Sequence, residues 1–231
     1  EYREVLFDIR QGQCKILYIA PERLLAEGFL SFIREQDIAM VTVDEAHCVS
    51  QWGQDFRPSY LEIDRFVKSL DSRPILSAFT ATATEQVRRD IVGLLDLNEP
   101  EVLVTGFDRK NLYFEVQKPP KKLDALLAIL ADHPDKSGII YCATRKNVEE
   151  VCEKICAAGS PAVCYHAGLP DAVRKKNQDL FIFDKKPIVV ATNAFGMGID
   201  KSNVSFVVHY NMPGDMESYY QEAGRAGRDG R

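Results

Sequence analysis

The sequence predicts an α/β protein of two lobes, each built on a parallel sheet that is covered by helices. Short apolar segments rich in β-branched residues alternate with helical patterns along the whole chain, which is typical of parallel sheets. The alternation stops between residues 106 and 122, where a charged turn and two prolines interrupt it, and then it restarts. We therefore expect a first lobe over residues 1–108, a linker over residues 109–122 and a second lobe over residues 123–231.

In the first half, the predicted strands are apolar runs that end in polar or turn-forming residues. They span Lys15–Ala20, Ala39–Asp44, Pro74–Phe79 and Glu101–Thr105. A helix is predicted after Thr82, because Thr82 and Glu85 have the spacing of a capping box. Its apolar stripe consists of Val87, Ile91, Leu94 and Leu95.

The second half repeats this pattern after a short predicted strand, Leu112–Val116. A helix over Leu123–Ala131 is followed by strands over Gly138–Cys142, Ala162–His166, Ile188–Thr192 and Ser205–Tyr210. Between the first two strands, Asn147 and Glu150 have the spacing of a second capping box, before a stripe formed by Val148, Val151, Cys152 and Ile155. Ligands of α/β sheets bind where the strands end, so the residues that follow the strands are the candidates for function.

The composition excludes several classes of protein. The chain has no apolar run of about 18 residues and no secretory signal, so neither a membrane protein nor a secreted one is expected. The six cysteines lack paired spacing; Cys152 and Cys156 lie one helical turn apart and make at most half a metal site, so zinc is not expected. The net charge of −5 argues mildly against nucleic-acid binding. Whether the chain binds nucleic acid must therefore be inferred from its sequence motifs.

Two adjacent acids, Asp44 and Glu45, close the apolar run that ends at Val43. In phosphoryl transfer, an acid at the end of a buried strand can hold Mg²⁺, and a second carboxylate can orient the attacking water. Two acids alone are more simply explained as solvated residues that cap the next segment.

The residues that follow favour the catalytic interpretation. Asp44-Glu45-Ala46-His47 resembles motif II of the DEAH-type superfamily 2 helicases, and the segment from Cys48 to Pro58 resembles the aromatic-rich loop of the RecQ family. This resemblance implies two RecA-like lobes, the cofactors ATP and Mg²⁺, and unwinding of duplex DNA in repair or recombination. It also implies movement along single-stranded DNA with 3′ to 5′ polarity.

The aromatic-rich loop has a physical use in DNA binding. Trp52 and Phe56 are stacking platforms for bases, and Arg57 is available to a phosphate. The resemblance implies that this loop reports DNA occupancy to the ATP site, with His47 and Gln51 among the coupling residues. The alternative for Trp52 is a plain hydrophobic anchor.

Other segments resemble the remaining helicase motifs. Residues 18–24 resemble motif Ib, residues 76–84 motif III, residues 140–145 motif IV with the adjoining segment 165–169, and residues 190–200 motif V. The resemblance assigns coupling to Thr80 and Thr82, and DNA contact to Arg23, Thr144, Arg145, His166, Gly168, Thr192, Gly196 and Gly198. Two simpler alternatives stay open: Thr82 as a plain helix cap and His166 as a structural residue.

Residues 218–230 resemble motif VI and predict a basic helix face. Gln221, Arg225 and Arg228 have the spacing i, i+4 and i+7, which places them on one side of a helix. The opposite stripe consists of Met216, Tyr219, Tyr220 and Ala223. Two guanidiniums that reach the γ-phosphate neutralise the charge that develops there, and the resemblance places Gln221 and Asp200 at the nucleotide as well. A solvated basic face is the alternative.

The sequence contains no Gly followed directly by Lys, so the phosphate-binding loop G-x-x-x-x-G-K-[ST] is absent. We expect the first lobe to be incomplete and this chain alone to hydrolyse ATP poorly. The expected partners are single-stranded and duplex DNA and no membrane, in the cytoplasm of a bacterium or the nucleus of a eukaryote. Three alternatives remain: an RNA helicase, a duplex translocase, and a DNA-binding module without ATP turnover.

Overall fold

The computed structural model describes residues 2–53, 55–81, 83–106, 109–196 and 199–230, without the side chains of residues 2 and 3. The chain divides into two compact units, Glu1–Val104 and Thr105–Arg231. In each unit the strands pair in parallel and pack against helices, which confirms the predicted α/β class. Two predicted site residues, Thr82 and Gly198, lie outside the described residues.

The first unit is built around two parallel strands. Strand β1 (Met40–Val43) pairs with β2 (Ile75–Ala78), and Val43 lies opposite Ala78 at their carboxyl ends. The helices of this unit are α1 (Tyr2–Arg10), α2 (Glu27–Arg34), α3 (Glu62–Lys68) and α4 (Glu85–Leu94), with 3₁₀ turns at Pro21–Arg23, Ala46–Val49 and Pro58–Leu61. Their apolar faces form one core, so the ends of β1 and β2 are held side by side.

The second unit contains a four-stranded parallel sheet in the order β4-β5-β3-β6. The strands are β3 (Ser137–Tyr141), β4 (Ala162–Tyr165), β5 (Ile188–Ala191) and β6 (Val204–His209), and the helices are α5 (Lys122–Asp132), α6 (Arg145–Ala157), α7 (Asp171–Ile182) and α8 (Met216–Ala223). The central strands β3 and β5 are buried along their whole length, as parallel strands covered on both faces should be. Within the described ranges, no helix is long and apolar enough to cross a membrane.

Three predicted strands are wrong. The segments Lys15–Ala20, Glu101–Thr105 and Leu112–Val116 form no strand, and Ile16 and Leu103 are 73% and 81% exposed. A β-branched apolar run becomes a strand only when a neighbouring backbone pairs with it, and no described strand does so here. The other six predicted strands are confirmed to within one residue at each end.

Two predicted helix caps are also wrong. Helix α4 begins at Glu85, and its N-cap is Thr84, whose hydroxyl accepts from the amide of Val87 at 3.4 Å. Helix α6 begins at Arg145, and Thr144 caps it by accepting from the amide of Asn147 at 3.2 Å. A threonine next to the first turn satisfies the free amides better than the predicted caps, which were Thr82 and Asn147. The predicted stripe of α6 is buried, whereas in α4 Leu94 is exposed.

The predicted basic helix face in motif VI does not form. Helix α8 ends at Ala223, with Gly224 as its C-cap, and Gly227 has a φ of 61°. Two glycines this close together weaken a helix and favour its end. Gln221 therefore lies on α8, whereas Arg225 and Arg228 lie in the turns that follow, and Met216 is exposed instead of lining an apolar stripe.

Candidate functional site

The two acids lie in a tight turn at the carboxyl end of β1. Glu45 has a left-handed backbone with φ 48° and ψ 43°, a conformation that costs a residue with a side chain about 1 kcal/mol or more. Asp44 Oδ1 accepts from the amide of Glu45 at 2.9 Å, and the amide of Ala46 donates to the carbonyl of Phe79 at 2.9 Å. Because the strand has ended, the two carboxylates are not held on opposite faces of the sheet.

Glu45 has a buried oxygen that is not satisfied. Its Oε2 has no hydrogen-bond partner among the residues that the structure describes. His47 Nδ1 lies 3.4 Å away, which is an ion-pair distance, but that nitrogen already shares a 2.9 Å hydrogen bond with Thr80 Oγ1. The 3.4 Å contact is long and lacks hydrogen-bond geometry, so it does not satisfy Glu45 Oε2. A buried carboxylate oxygen without a donor is costly.

Asp44 has the character of a magnesium ligand. Its side chain is exposed, and its carbonyl accepts from the Tyr60 hydroxyl at 3.3 Å, which fixes the backbone behind it. Mg²⁺ prefers hard carboxylate oxygens and keeps several of its waters. The exposed carboxylate of Asp44 fits such an ion.

His47 connects the acids to the segment after β2. It is buried, and its hydrogen bond to Thr80 joins the two segments that resemble motifs II and III. Of the other predicted coupling residues, Gln51 is exposed on the surface. The structure thus brings His47, Thr80 and Glu45 together.

The aromatic-rich loop is anchored at its base and open at its tip. The buried Ser50 donates to Asp90 Oδ2 on α4 at 2.6 Å and accepts from the amide of Trp52 at 3.1 Å. Gly53 lies so close to His47 that a Cβ atom would overlap the His47 carbonyl. The side chain of Trp52 is 76% exposed, which excludes the interpretation as a buried hydrophobic anchor within this unit.

The other residues of the first unit that were predicted to contact DNA differ in how accessible their side chains are. Phe56 is half-buried, and Arg57 donates to Asp55 Oδ2 from Nε at 3.0 Å and from Nη2 at 2.6 Å. This hydrogen bond with Asp55 raises the pKa of Arg57, and a phosphate would compete with Asp55 for it. Arg23 is exposed at the end of a 3₁₀ turn.

Three predicted DNA-contact residues meet at the carboxyl edge of the second sheet: Arg145, His166 and Gly168. Thr144 and Arg145 begin α6, and a Cβ on Gly168 would lie 3.0 Å from Arg145 Cδ and 3.2 Å from His166 Nδ1. The backbone amide of Gly168 donates to His166 Nδ1 at 3.2 Å. The segments 140–145 and 165–169 are therefore in contact with each other at Arg145 and Gly168.

The buried side chain of His166 accepts a hydrogen bond from the loop that contains Gly168. It is 2% exposed, and because Nδ1 accepts from Gly168, the neutral ring carries its proton on Nε2. Nε2 lies 3.2 Å from Glu149 Oε1, although within the described part of the chain it has no partner with hydrogen-bond geometry. This placement supports the structural alternative for His166.

The two arginines of motif VI have different environments. Arg225 is 7% exposed and donates from Nη1 to the carbonyl of Gly196 at 2.6 Å. The side chain of Arg228 is 37% exposed, and its Nη1 lies 3.3 Å from Asp200 Oδ1. Thr192, at the end of β5, is half-buried, and so is Gln221. Arg228 is thus the more available of the two guanidiniums.

Several residues that hold motif VI in place were not predicted. Arg109 Nη2 donates to the carbonyl of Gly227 at 2.8 Å, and Asn111 Nδ2 donates to the same carbonyl at 2.8 Å. His209 and buried Glu222 lie 2.9 Å apart and join β6 to α8. The sequence could have pointed to His209, because this histidine lies at the end of a strand, and His166 likewise directly follows one. No such pattern in the sequence marks Arg109.

Comparison with known proteins agrees with this geometry. Residues 1–90 match the DEAD/DEAH box helicase family, and residues 121–230 match the helicase conserved C-terminal domain. The ATP-dependent DNA helicase RecQ of Bacillus subtilis is 46% identical over 230 residues. The chain belongs to the RecQ family. The matched region covers 100% of this RecQ-family chain but only 39% of the Bacillus protein.

Two further matches bear on function and fold. A protein of Acanthamoeba polyphaga mimivirus, described as a putative ATP-dependent RNA helicase, is 42% identical over 96% of this RecQ-family chain and 41% of its own length. A solved structure of a Dbp5 variant from S. cerevisiae, bound to Gle1 and IP6, has a TM-score of 0.67 at 26% identity over 92% of this chain and 55% of that one. The predicted RecA-like helicase fold is therefore confirmed.

Proposed function

We propose that this chain is part of an ATP-dependent DNA helicase that unwinds duplex DNA by moving along one strand with 3′ to 5′ polarity, in repair or recombination. The observation that carries the proposal is the unsatisfied Oε2 of Glu45, buried beside the hydrogen bond between His47 and Thr80. A carboxylate in this state accepts a hydrogen bond from water and can orient that water for attack on a phosphate.

The two acids have separate tasks in this proposal. Asp44 would hold Mg²⁺, and the ion, when bound, supplies positive charge to the phosphates of ATP. Glu45 orients the attacking water and accepts its proton. The left-handed turn at Glu45 follows the end of the strand, so the two carboxylates are not forced onto opposite faces of the sheet.

A short chain of contacts supports a link between DNA binding and hydrolysis. Trp52 is exposed and can stack on a base, and the adjacent Gly53 packs against the backbone of His47. The ring of His47 in turn contacts Glu45 at 3.4 Å and Thr80 at 2.9 Å. A movement of the loop upon DNA binding would therefore shift His47 and, through this histidine, the position of Glu45.

The residues of the second unit complete the proposal. Arg228 is the guanidinium that neutralises charge on the γ-phosphate, while buried Arg225 keeps the loop at Gly196 in place. Gln221 and Asp200 contribute to the nucleotide site. Arg145, Gly168 and their neighbours bind the DNA backbone, which needs donors but no base recognition.

The extents of the lobes also belong to the proposal. We assign residues 1–108 and 123–231 to the two RecA-like lobes and residues 109–122 to their linker. The hydrogen bonds of Arg109 and Asn111 to Gly227 support a linker whose first residues pack on the second lobe. Because the sequence has no Gly-Lys pair to hold the β- and γ-phosphates, these 231 residues alone should hydrolyse ATP slowly.

RNA is the second candidate substrate, because the mimivirus relative is described as a putative RNA helicase. The test measures ATP hydrolysis by the full-length protein with Mg²⁺ and with DNA or RNA oligomers of equal length and sequence. We expect strong stimulation by single-stranded DNA. Stimulation by RNA alone would favour an RNA helicase, and DNA binding without any ATP turnover would favour a non-enzymatic module.

A further inference from the structure

The aromatic-rich loop, residues 48–58, is joined to α4 by the carboxylate of Asp90. This side chain is half-buried, and Oδ2 accepts from the Ser50 hydroxyl at 2.6 Å while Oδ1 accepts from Gln86 Nε2 at 2.9 Å. Gln86 lies one helical turn before Asp90 on α4, so its amide orients the carboxylate from the same helix. A hydrogen bond that ends on a carboxylate is stronger than one between neutral groups. Asp90 therefore presents a strong, oriented acceptor to the loop.

Ser50 connects Asp90 to Trp52. Ser50 is 0% exposed, and its Oγ accepts from the amide of Trp52 at 3.1 Å while its proton goes to Asp90. A serine hydroxyl has a single proton, so the bond to Asp90 leaves the lone pairs of Oγ for the loop. The carbonyl of Ser50 also accepts from the amide of Gly53 at 3.0 Å. The position of the backbone at Trp52 thus depends on where Asp90 holds Ser50.

The helix that carries Asp90 is a rigid support for the loop. Val87 and Ile91 lie beside Asp90 on α4 and are buried in one core together with Val49, the residue before Ser50. A side chain on a packed helix is held more precisely than one on a loop. The hydrogen bond from Ser50 to Asp90 therefore extends the order of this core into the loop.

We propose that Asp90 is a positioning residue for the aromatic-rich loop: through Ser50, it keeps Trp52 ordered in the free protein, ready to stack on a base. In this role Asp90 contacts neither DNA nor nucleotide. A loop that is ordered before binding avoids the entropy loss of being ordered upon binding. The consequence for DNA affinity rests on the proposed function, whereas the order of the loop is a property of the free chain.

The fluorescence of Trp52 measures this order directly. Because Trp52 is the single tryptophan of the chain, its time-resolved anisotropy reports nanosecond motion of this loop. Asp90→Ala should increase the fast-decaying fraction of the anisotropy. Ser50→Ala removes the same hydrogen bond from the loop side and should give the same increase, which keeps the test decisive if Asp90→Ala does not fold. Asp90→Asn retains an oxygen that accepts from Ser50 and should restore the slow decay.

Asp64→Ala is the matched control, with circular dichroism to verify the fold of each variant. Asp64 is also half-buried on a helix of the first unit, but it binds Lys68 instead of the loop, so its removal should leave the anisotropy unchanged. The variant with both Ser50→Ala and Asp90→Ala should be no more mobile than either single variant, because the two residues act through one bond.

Binding of single-stranded DNA to the full-length protein is the second measurement. Asp90→Ala should weaken the affinity by about tenfold, the effect of losing one hydrogen bond to a charged group, and Asp90→Asn should retain most of it. The positioning role is overturned if Asp90→Ala folds and leaves the anisotropy of Trp52 unchanged, or if the effects of the two single variants add in the double variant. Should the unchanged protein bind no DNA, the proposed function fails, while the anisotropy still decides the role of Asp90.

Discussion

The guanidinium of Arg225 occupies the space beside Gly196 that a side chain would need. Its Nη1 donates to the Gly196 carbonyl at 2.6 Å, and a Cβ on Gly196 would lie 2.5 Å from Nη2. The absence of a side chain at this position thus serves the packing of motif VI on motif V within the second unit. From the sequence, this glycine was expected to admit a DNA backbone.

Gly196→Ala should lower the free energy of unfolding by about 1–3 kcal/mol, because the new methyl group forces Arg225 out of its buried position. Urea denaturation of the chain measures the loss. The matched control is Gly214→Ala, where a Cβ would meet nothing within 4 Å and the expected change is within about 0.5 kcal/mol. Equal stabilities of the two variants would contradict the packing role of Gly196.

Replacing the two arginines of motif VI should give different results. Arg225→Ala should lower stability, because it removes a buried hydrogen bond to the Gly196 carbonyl. Arg228→Ala should leave stability within about 0.5 kcal/mol, because that side chain is partly exposed, but it should slow ATP hydrolysis by about 10³ or more in the full-length protein. The measurements are urea denaturation and steady-state turnover. An Arg228 variant that keeps full turnover is incompatible with its proposed role.

Patterns within short segments predicted much of the fold. The strands β1 to β6 lie within one residue of their predicted ends, because apolar β-branched runs between turn residues are a local signal. The position of Asp44 and Glu45 after β1 was predicted for the same reason. The segment Lys15–Ala20 has the same composition and forms no strand, because pairing depends on a neighbour that the segment itself does not specify.

Contacts between distant residues were beyond prediction. Ser50 and Asp90 are 40 positions apart, and Arg109 and Gly227 are 118 apart, so no spacing within a motif relates them. The end of α8 was predicted wrongly because Arg225 and Arg228 have helical spacing, whereas Gly224 and Gly227 end the helix before either arginine. The predicted roles of these residues in catalysis remain predictions.

Trp52 should report DNA binding through its fluorescence. It is the single tryptophan of the chain and is 76% exposed, so a base that stacks on it should quench its emission. In the full-length protein, Trp52→Ala should keep basal ATP hydrolysis and lose stimulation by single-stranded DNA. Phe183→Ala removes an aromatic ring of similar exposure, 68%, outside the predicted DNA contacts and serves as the control. Unchanged stimulation in the Trp52 variant would count against a sensing loop.

A buried lysine makes stability depend on Asp184. Lys201 is 5% exposed and donates to Asp184 Oδ1 at 2.6 Å, and this hydrogen bond lowers the pKa of Asp184. Asp184→Asn should cost about 1–3 kcal/mol at pH 7, less than for a fully buried pair because the Asp184 side chain is 57% exposed. Asparagine tolerates the left-handed backbone at this position, where φ is 57°.

The sign of the pH effect follows from the lowered pKa. Asp184 favours the folded state above the pKa of an unfolded aspartate, about 3.9, and this contribution is lost as the pH falls through the lower folded value. The stability difference between Asp184→Asn and the unchanged chain should therefore shrink below about pH 4. Asp171→Asn, which removes a carboxylate that is 92% exposed, is the control and should change stability little at any pH. A difference that grows on acidification would refute the assignment.

The most direct test of the proposed function is Glu45→Gln in the full-length protein, with saturating single-stranded DNA and Mg²⁺. Glutamine keeps the size of the side chain but cannot accept a proton from water, so hydrolysis should fall by about 10²–10⁴. Binding of a non-hydrolysable ATP analogue, measured in parallel, should be unchanged. DNA-stimulated turnover retained in this variant would contradict the assignment of Glu45 to the attacking water.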